Sequence, residues 1–175
     1  DYSTFRPQLA VLPASDGVVQ PYADSPLDEE PVAETVYLDI LAQSQQYVYF
    51  YTPYLAIGEE MLDALRNAAK RGVDVRLVLP GIPDKKLVYR VTRSYYAQLA
   101  SAGVRIFEYT PGFCHAKQCV SDDKAAVVGT INLDYRSLYH HFENAAAFYH
   151  KDAVAGVKAD FDHLFEECHE VTEQY

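Results

Sequence analysis

A chain of 175 residues with 49% hydrophobic content has the length of one domain and enough apolar surface to bury a core, which excludes disorder. Fifteen basic against twenty-five acidic residues leave a net charge of −10, which repels polyphosphate at long range, so no nucleic-acid partner is expected. Three cysteines, Cys114, Cys119 and Cys168, are odd in number and suit a reducing compartment rather than a disulfide framework. No apolar run approaches the roughly 18 residues of a membrane span, and no signal peptide is visible. The chain opens at Asp1 and its only methionine is Met61, so it is expected to be a soluble piece of something longer.

Residues 1–32 read as an N-terminal strand, around the apolar stretch at 9–12, and a loop at the domain edge, punctuated by Pro13, Pro21, Pro26 and Pro31. Residues 33–175 form the body. From 33 to 42 the positions Val36, Tyr37, Ile40 and Leu41 recur at helical spacing and lead into YVYFY at 47–51, a strand. At 59–71 Met61, Leu62, Leu65, Ala68 and Ala69 share one helix face. Glu59 and Glu60 open that helix, Lys70 and Arg71 close it with the signs the macrodipole favours, and Gly72 suits a left-handed stop. A strand at 73–79 completes a parallel strand–helix–strand unit with a right-handed crossover.

A second unit is predicted, with Asp84 as N-cap, Val88, Val91, Tyr95 and Leu99 on the inner face, Gly103 as stop and a strand at 104–109. Residues 117–121 and 125–129 read as a hairpin turned by Asp122, Asp123 and Lys124. A strand at 145–149 follows. A last helix opened by Asp152 carries Val154, Val157, Phe161, Leu164, Phe165, Cys168 and Val171 along one side. The fold class is therefore α/β: a mixed, largely parallel sheet flanked by helices on both faces.

Between Gly112 and Asn144 polar residues sit in strand-like or tight-turn contexts among apolar neighbours. His115 and Lys117, two apart on a predicted strand, point to one side. An ammonium (Lys117), a carboxamide (Asn132) and a hydroxyl (Thr130) near one imidazole suit a tetrahedral oxyanion, and phosphate is the natural guest. The imidazole can attack phosphorus or protonate a leaving oxygen, provided an acceptor holds its other nitrogen; Glu143 is the candidate acceptor.

The ordered set H-x-K-x(4)-D-x(6)-G-T-x-N, from His115 through Lys117, Asp122, Gly129 and Thr130 to Asn132, resembles the HKD motif of the phospholipase D superfamily. GVVQ at 17–20, TPYL at 52–55, AAKRGVDVRLVLP at 68–80, RSYYAQLASAGVRIFEY at 93–109, GFCHAK at 112–117, VGTINLDYRS at 128–137 and HFEN at 141–144 resemble the carboxy-terminal catalytic half of bacterial cardiolipin synthases. That resemblance implies His115 as one of two active-site histidines, Lys117 and Asn132 as ligands of the phosphoryl oxygens, Thr130 as a phosphate contact and Glu143 as support for His115. Asp122 belongs to the motif, with a structural role expected. Cys114, where an aliphatic residue is commoner, and AIGEE after TPYL depart from the family pattern.

The same resemblance implies phosphatidyl transfer between two phosphatidylglycerols through a phosphohistidine, with no metal or other cofactor. Its expected partners are anionic phospholipid, a membrane surface and a second HKD half-domain. None of the histidines at 140, 141, 150, 163 and 169 is followed two positions on by lysine, which leaves three arrangements: a second motif upstream in the full chain, which the resemblance favours, a second motif from a homodimer, or an inactive chain. The isolated chain is expected to be inactive, and the parent protein to sit at the bacterial cytoplasmic membrane with this domain on the cytoplasmic side. The alternatives are a homodimeric phosphodiesterase or nuclease, and a non-catalytic phospholipid-binding module.

Blander readings compete at several positions. Zinc on Cys114, His115 and Cys119 is disfavoured, because the two cysteines are an odd number apart and Lys117 repels a dication. Lys85, Lys86, Arg90 and Arg93 read as a solvated helix face or as a contact to an anionic membrane. His140 and His141 are adjacent and cannot both face one pocket. Arg136 suits a headgroup phosphate, or an ion pair with Asp122 or Asp134. Tyr54, in the TPYL turn, is a candidate substrate contact.

Overall fold

The computed structural model describes Thr4 and residues 17–175, so the apolar stretch at 9–12 lies outside it. In chain order the elements are β1 (Val19–Asp24), α1 (Val32–Gln43), β2 (Tyr47–Tyr51), β3 (Leu55–Ala56), α2 (Glu59–Lys70), β4 (Asp74–Pro80), α3 (Lys86–Ser94), α4 (Tyr96–Ala100) and β5 (Arg105–Tyr109). The hairpin β6 (Gln118–Ser121) and β7 (Ala125–Gly129) follows, then β8 (Leu133–Asp134), α5 (Tyr135–Tyr139), β9 (Glu143–Phe148), α6 (Lys151–Glu167) and β10 (Cys168–Glu170).

The sheet runs β1-β9-β7-β6-β2-β4-β5-β10. YVYFY earns its place near the middle because it is apolar on both sides: Val48 and Phe50 join one core with α1, α2 and α4, while Tyr49 and Tyr51 join another with α6. The first core is built on Tyr37, Leu41, Met61, Leu65, Tyr96 and Leu99, and the second on Val154 and Phe161. Helices on both faces of a mixed α/β sheet are thus as the sequence predicts. The strand directions are less parallel than predicted: β2, β4 and β5 run parallel, and the other neighbours in the sheet are antiparallel. Only β2 to β4 and β4 to β5 are joined by crossover helices, whereas β6 and β7 turn back on each other directly.

Gly72 and Gly103 take φ of 92° and 96°, the left-handed stops that let α2 and α4 turn into the next strand. Other segments differ from expectation. Part of the proline-marked loop is strand β1, which pairs antiparallel with β9 in the register Pro21↔Ala146. The helix predicted from Asp84 is two helices, broken at Tyr95. Asp84 does not cap α3, which has no side-chain cap bond, and its carboxylate accepts instead from Lys85 N (2.6 Å) and the Tyr54 hydroxyl (2.7 Å). Thr92, Tyr96 and Leu99 form the inner side, while Val91 faces out. The last helix stops at Glu167 because residues 168–170 pair with β5.

Asp122 and Asp123, at φ 53° and 56°, make a two-residue turn of the I′ kind, closed by Lys124 N donating to Ser121 O at 2.9 Å. The Asp122 carboxylate accepts from the backbone amides of Gln45, Gln46 and Tyr47 at 2.7, 2.9 and 2.8 Å, which pins the start of β2 to the hairpin. Burial pushes this carboxyl up, but the three amides outweigh it and hold it below the usual carboxylate range. Asp122→Ala should therefore cost about 3 kcal/mol in urea unfolding, since bonds to a charged group contribute about 1.5–3 kcal/mol each without full additivity. The contribution is complete above the unfolded carboxyl pKa of about 3.9 and is lost as pH falls through the lower folded value. The alanine variant should lack that acid-dependent part.

Candidate active site

The hairpin turn at Asp122 marks one end of β6. The opposite end, where Tyr51 pairs with Gln118, lies at the carboxyl end of the parallel strands, the usual ligand edge of an open α/β sheet. His115 and Lys117 sit there, in an extended lead-in just before β6 rather than inside it; Gly129 N donating to Lys117 O at 3.2 Å holds that lead-in against β7.

The two side chains meet. Lys117 Nζ stands 3.0 Å from His115 Nδ1 and 2.5 Å from the His115 carbonyl oxygen. An ammonium has no lone pair to accept with, so Nδ1 accepts and the neutral ring carries its proton on Nε2. Burial lowers the pKa of Lys117 below its ordinary 10.5, opposed chiefly by the negative charge of Glu143 and also by that of Asp134. The exposed imidazole packs edge-on to Tyr54, ring centres 6.4 Å apart, and lies 5.9 Å from the Phe113 ring.

Tyr54, against which the His115 ring packs, also lines a cavity of about 400 Å³ together with Lys85, Val88, Asn132, Asp134, Arg136, Ser137, His141 and Glu143 among others. The Asn132 side-chain oxygen is buried with no hydrogen-bond partner among the described residues. Asp134 caps α5 by accepting from Ser137 N at 2.9 Å. Ser137 then serves two residues at once: its hydroxyl accepts from Asn132 N at 2.9 Å and donates to Glu143 at 2.6 Å. A larger cleft, about 610 Å³, lies at the far end of the hairpin beside Asp122 and Lys124. Its arginine, Arg71, is engaged with the carbonyls of Leu41 (2.8 Å) and Ser44 (3.5 Å), so size alone does not mark the site.

Residues 37–165 match the family described as cardiolipin synthase, phospholipase D-like domain. The chain belongs to this family. It is 54% identical to an uncharacterized protein of Streptococcus mutans, over 90% of this chain and 34% of that protein. It is 39% identical to the cardiolipin synthase of a Geobacillus species, over 83% of this chain and 29% of the relative. The phospholipase D-like domain thus spans about a third of the length of the curated relatives it matches. In fold it is similar to the crystal structure of Nuc, a phospholipase D family member from Salmonella typhimurium, with a TM-score of 0.76 at 16% identity over 89% of this chain and 99% of that one.

Within this phospholipase D-like domain the residues singled out in the sequence fall into three groups. His115 and Lys117 are in contact with each other, and Tyr54, Asn132, Arg136 and Glu143 line the cavity. Asp122 stands apart at the other end of β6 and is spent on backbone amides, so it has no place among the catalytic groups. Glu143 makes no hydrogen bond to His115 among the described residues. It accepts from Thr130 and Ser137 and lies 3.3 Å from His141 Nδ1. The reason is topological: Glu143 opens β9, His115 precedes β6, and β7 runs between those strands.

Thr130 therefore gives its hydroxyl to Glu143 rather than presenting it to a ligand. Arg136 pairs with neither Asp122 nor Asp134 but lies 3.2 Å from His141 Nε2; a guanidinium only donates, so Nε2 accepts and Nδ1–H points at Glu143. Tyr54 donates to Asp84, and burial together with that carboxylate pushes its phenol up to about 12. Cys114 and Cys119 pack in the cores on opposite faces of the sheet. Sequence reasoning missed Ser137 and gave His141 too little weight. The D-x-x-S spacing of Asp134 and Ser137 is a helix-capping pattern that points to the first, whereas nothing local points to the second.

Proposed function

We propose that this domain is one catalytic half of a phosphatidyltransferase that makes cardiolipin from two phosphatidylglycerols. The observation that carries the reading is the Lys117–His115 contact at 3.0 Å: a nucleophile and a cation side by side, with the His115 ring against Tyr54, whose side chain lines the same cavity as Asn132. In the first step the Lys117 ammonium turns from His115 to the phosphate, and the freed lone pair of His115 Nδ1 attacks phosphorus while Nε2 keeps its proton. The bond from phosphorus to the glycerol headgroup breaks, and the departing oxygen takes a proton from the histidine of a second motif. In the second step a hydroxyl of another phosphatidylglycerol gives its proton to that second histidine and attacks phosphorus. Glycerol has left after the first step; in the second the phosphorus–nitrogen bond breaks and cardiolipin leaves.

Lys117 supplies the charge that the anionic phosphate needs, so the reaction calls on no metal or cofactor. The second motif is supplied by the remainder of a longer parent protein held at the bacterial cytoplasmic membrane, with this domain on the cytoplasmic side. An uncovered stretch of sheet beside the motif supports a seat for that second half: Val19 and Val128, on the same face of β1 and β7, are 51% and 39% exposed. The single motif also supports a second reading, a homodimeric phosphodiesterase, which would release phosphatidic acid in place of cardiolipin.

The test is to quench the full-length protein during turnover of phosphatidylglycerol labelled in its phosphate. The expected result is an acid-labile, base-stable label on the peptide containing His115, with cardiolipin as product. Cardiolipin formed at full rate with no labelled histidine would overturn the reading.

A further inference from the structure

Helix α3 presents a face that the chemistry does not use. Leu87 is 74% exposed, Val91 one turn later is 39% exposed, and Ile82 in the preceding loop is 46% exposed. Alongside, Lys86 and Arg90 form a second pair four residues apart, and Lys85 precedes the helix. All three cations are exposed, and none has an ion-pair partner among the described residues. Arg93, grouped with them in the sequence, is withdrawn: it lies 3.8 Å from Glu108 and donates to the Tyr175 hydroxyl at 3.0 Å.

The inner side of α3 is fastened. The buried Thr92 hydroxyl accepts from Leu55 N at 3.1 Å, so the outward stripe has a fixed orientation. One exposed leucine is ordinary on a solvated face, but Ile82, Leu87 and Val91 exposed together form an apolar stripe, and its lysine and arginine neighbours exclude a core face. Apolar and cationic residues side by side are the composition of a helix that lies in a lipid headgroup layer. On a chain of net charge −10, the segment from 82 to 91 carries three bases and one acid, Asp84, already bonded to Tyr54. The same element reaches the cavity: Lys85 and Val88 line it opposite Asn132, with Lys85 Nζ 6.0 Å from the Tyr54 ring.

We propose that α3 and its preceding loop are a docking surface for an anionic phospholipid bilayer. Leu87, Val91 and Ile82 enter the headgroup–acyl boundary, Lys85, Lys86 and Arg90 meet lipid phosphates, and a headgroup at that level stands at the cavity mouth. The proposal rests on the phosphatidyl reading of the cavity.

The experiment is flotation of the 175-residue chain with vesicles of about one part phosphatidylglycerol to two parts phosphatidylcholine, a cation near such a surface contributing about fivefold in partition. Lys86→Gln/Arg90→Gln should lower binding about thirtyfold, and Leu87→Ser about tenfold with all charges intact. Pure phosphatidylcholine vesicles should bind the chain weakly. These side chains are exposed, so thermal melts of the variants should match the wild type. Equal flotation of variants and wild type, or no flotation of the wild type, overturns the proposal. So does a sedimentation dimer that these variants dissociate, because a second copy would then be the occupant.

His115→Ala should float like the wild type. A chain that docks as described, within a full-length protein that transfers no phosphatidyl group, would refute the catalytic reading alone. Unaltered docking in the variants, with normal transfer of a short-chain phosphatidylglycerol dissolved in water, would refute the docking surface alone.

Discussion

Replacing His115 with alanine in the full-length protein should slow cardiolipin formation by about 10⁴-fold or more, the scale seen when a nucleophile that works within a catalytic unit is removed. The ring is exposed and contributes no core contact, so the melting temperature should stay within a degree or two. Substrate KM should change little, because Lys117 and Asn132 remain to hold phosphate. Steady-state rates on phosphatidylglycerol, alongside a thermal melt, read both quantities. Cardiolipin made at the wild-type rate would end the assignment of His115, whatever else the cavity does.

Lys117→Met should cost about 10²- to 10³-fold in kcat, the usual loss when one preorganised donor to a developing negative charge is deleted. A sharper test uses pH. Burial lowers the Lys117 pKa, and the form that meets phosphate is the ammonium, so activity should fall with rising pH along a limb that lies below the ordinary lysine value of 10.5. Arginine at 117 keeps its charge throughout that range, so Lys117→Arg should recover part of the rate and remove the limb. An arginine variant with the alkaline limb unchanged would mean that the limb belongs to another group.

The parts of this domain written in short-range pattern were legible before any coordinates. The α2 helix announces itself by a five-residue apolar face, charges matched to its dipole and a glycine stop, and Asp-Asp-Lys between two apolar runs can hardly be other than a turn. The end of α6 was not legible: Cys168 and Val171 continue the helical rhythm, and only pairing with β5 diverts 168–170 into a strand. The inner side of α3 differs for the opposite reason, since Val91 fits the core period but stays 39% exposed. At the site, the spacing of His115 and Lys117 predicted that they meet, because two residues in an extended segment share a side. The partner of Glu143 could not be read that way. Three strands, β6, β7 and β9, decide the distance between 115 and 143, and the sheet order is a property of the whole chain. Tertiary contacts, not local sequence, likewise bring Arg136, His141 and Glu143 into line.

The placement of Pro21 limits how this molecule can grow. Tyr149 N donates to Val18 O, so in the alternating ladder the amides of Val19, Pro21 and Ala23 point away from β9, and the middle one has no hydrogen to give. At the opposite margin β10 is three residues long and carries His169 and Glu170. Among the described residues both margins are therefore poor templates for an added strand, which disfavours polymerisation through backbone bonding. The faces and the loops are therefore the favoured approach for a companion unit, and the end of the sheet that carries His115 is made of such loops.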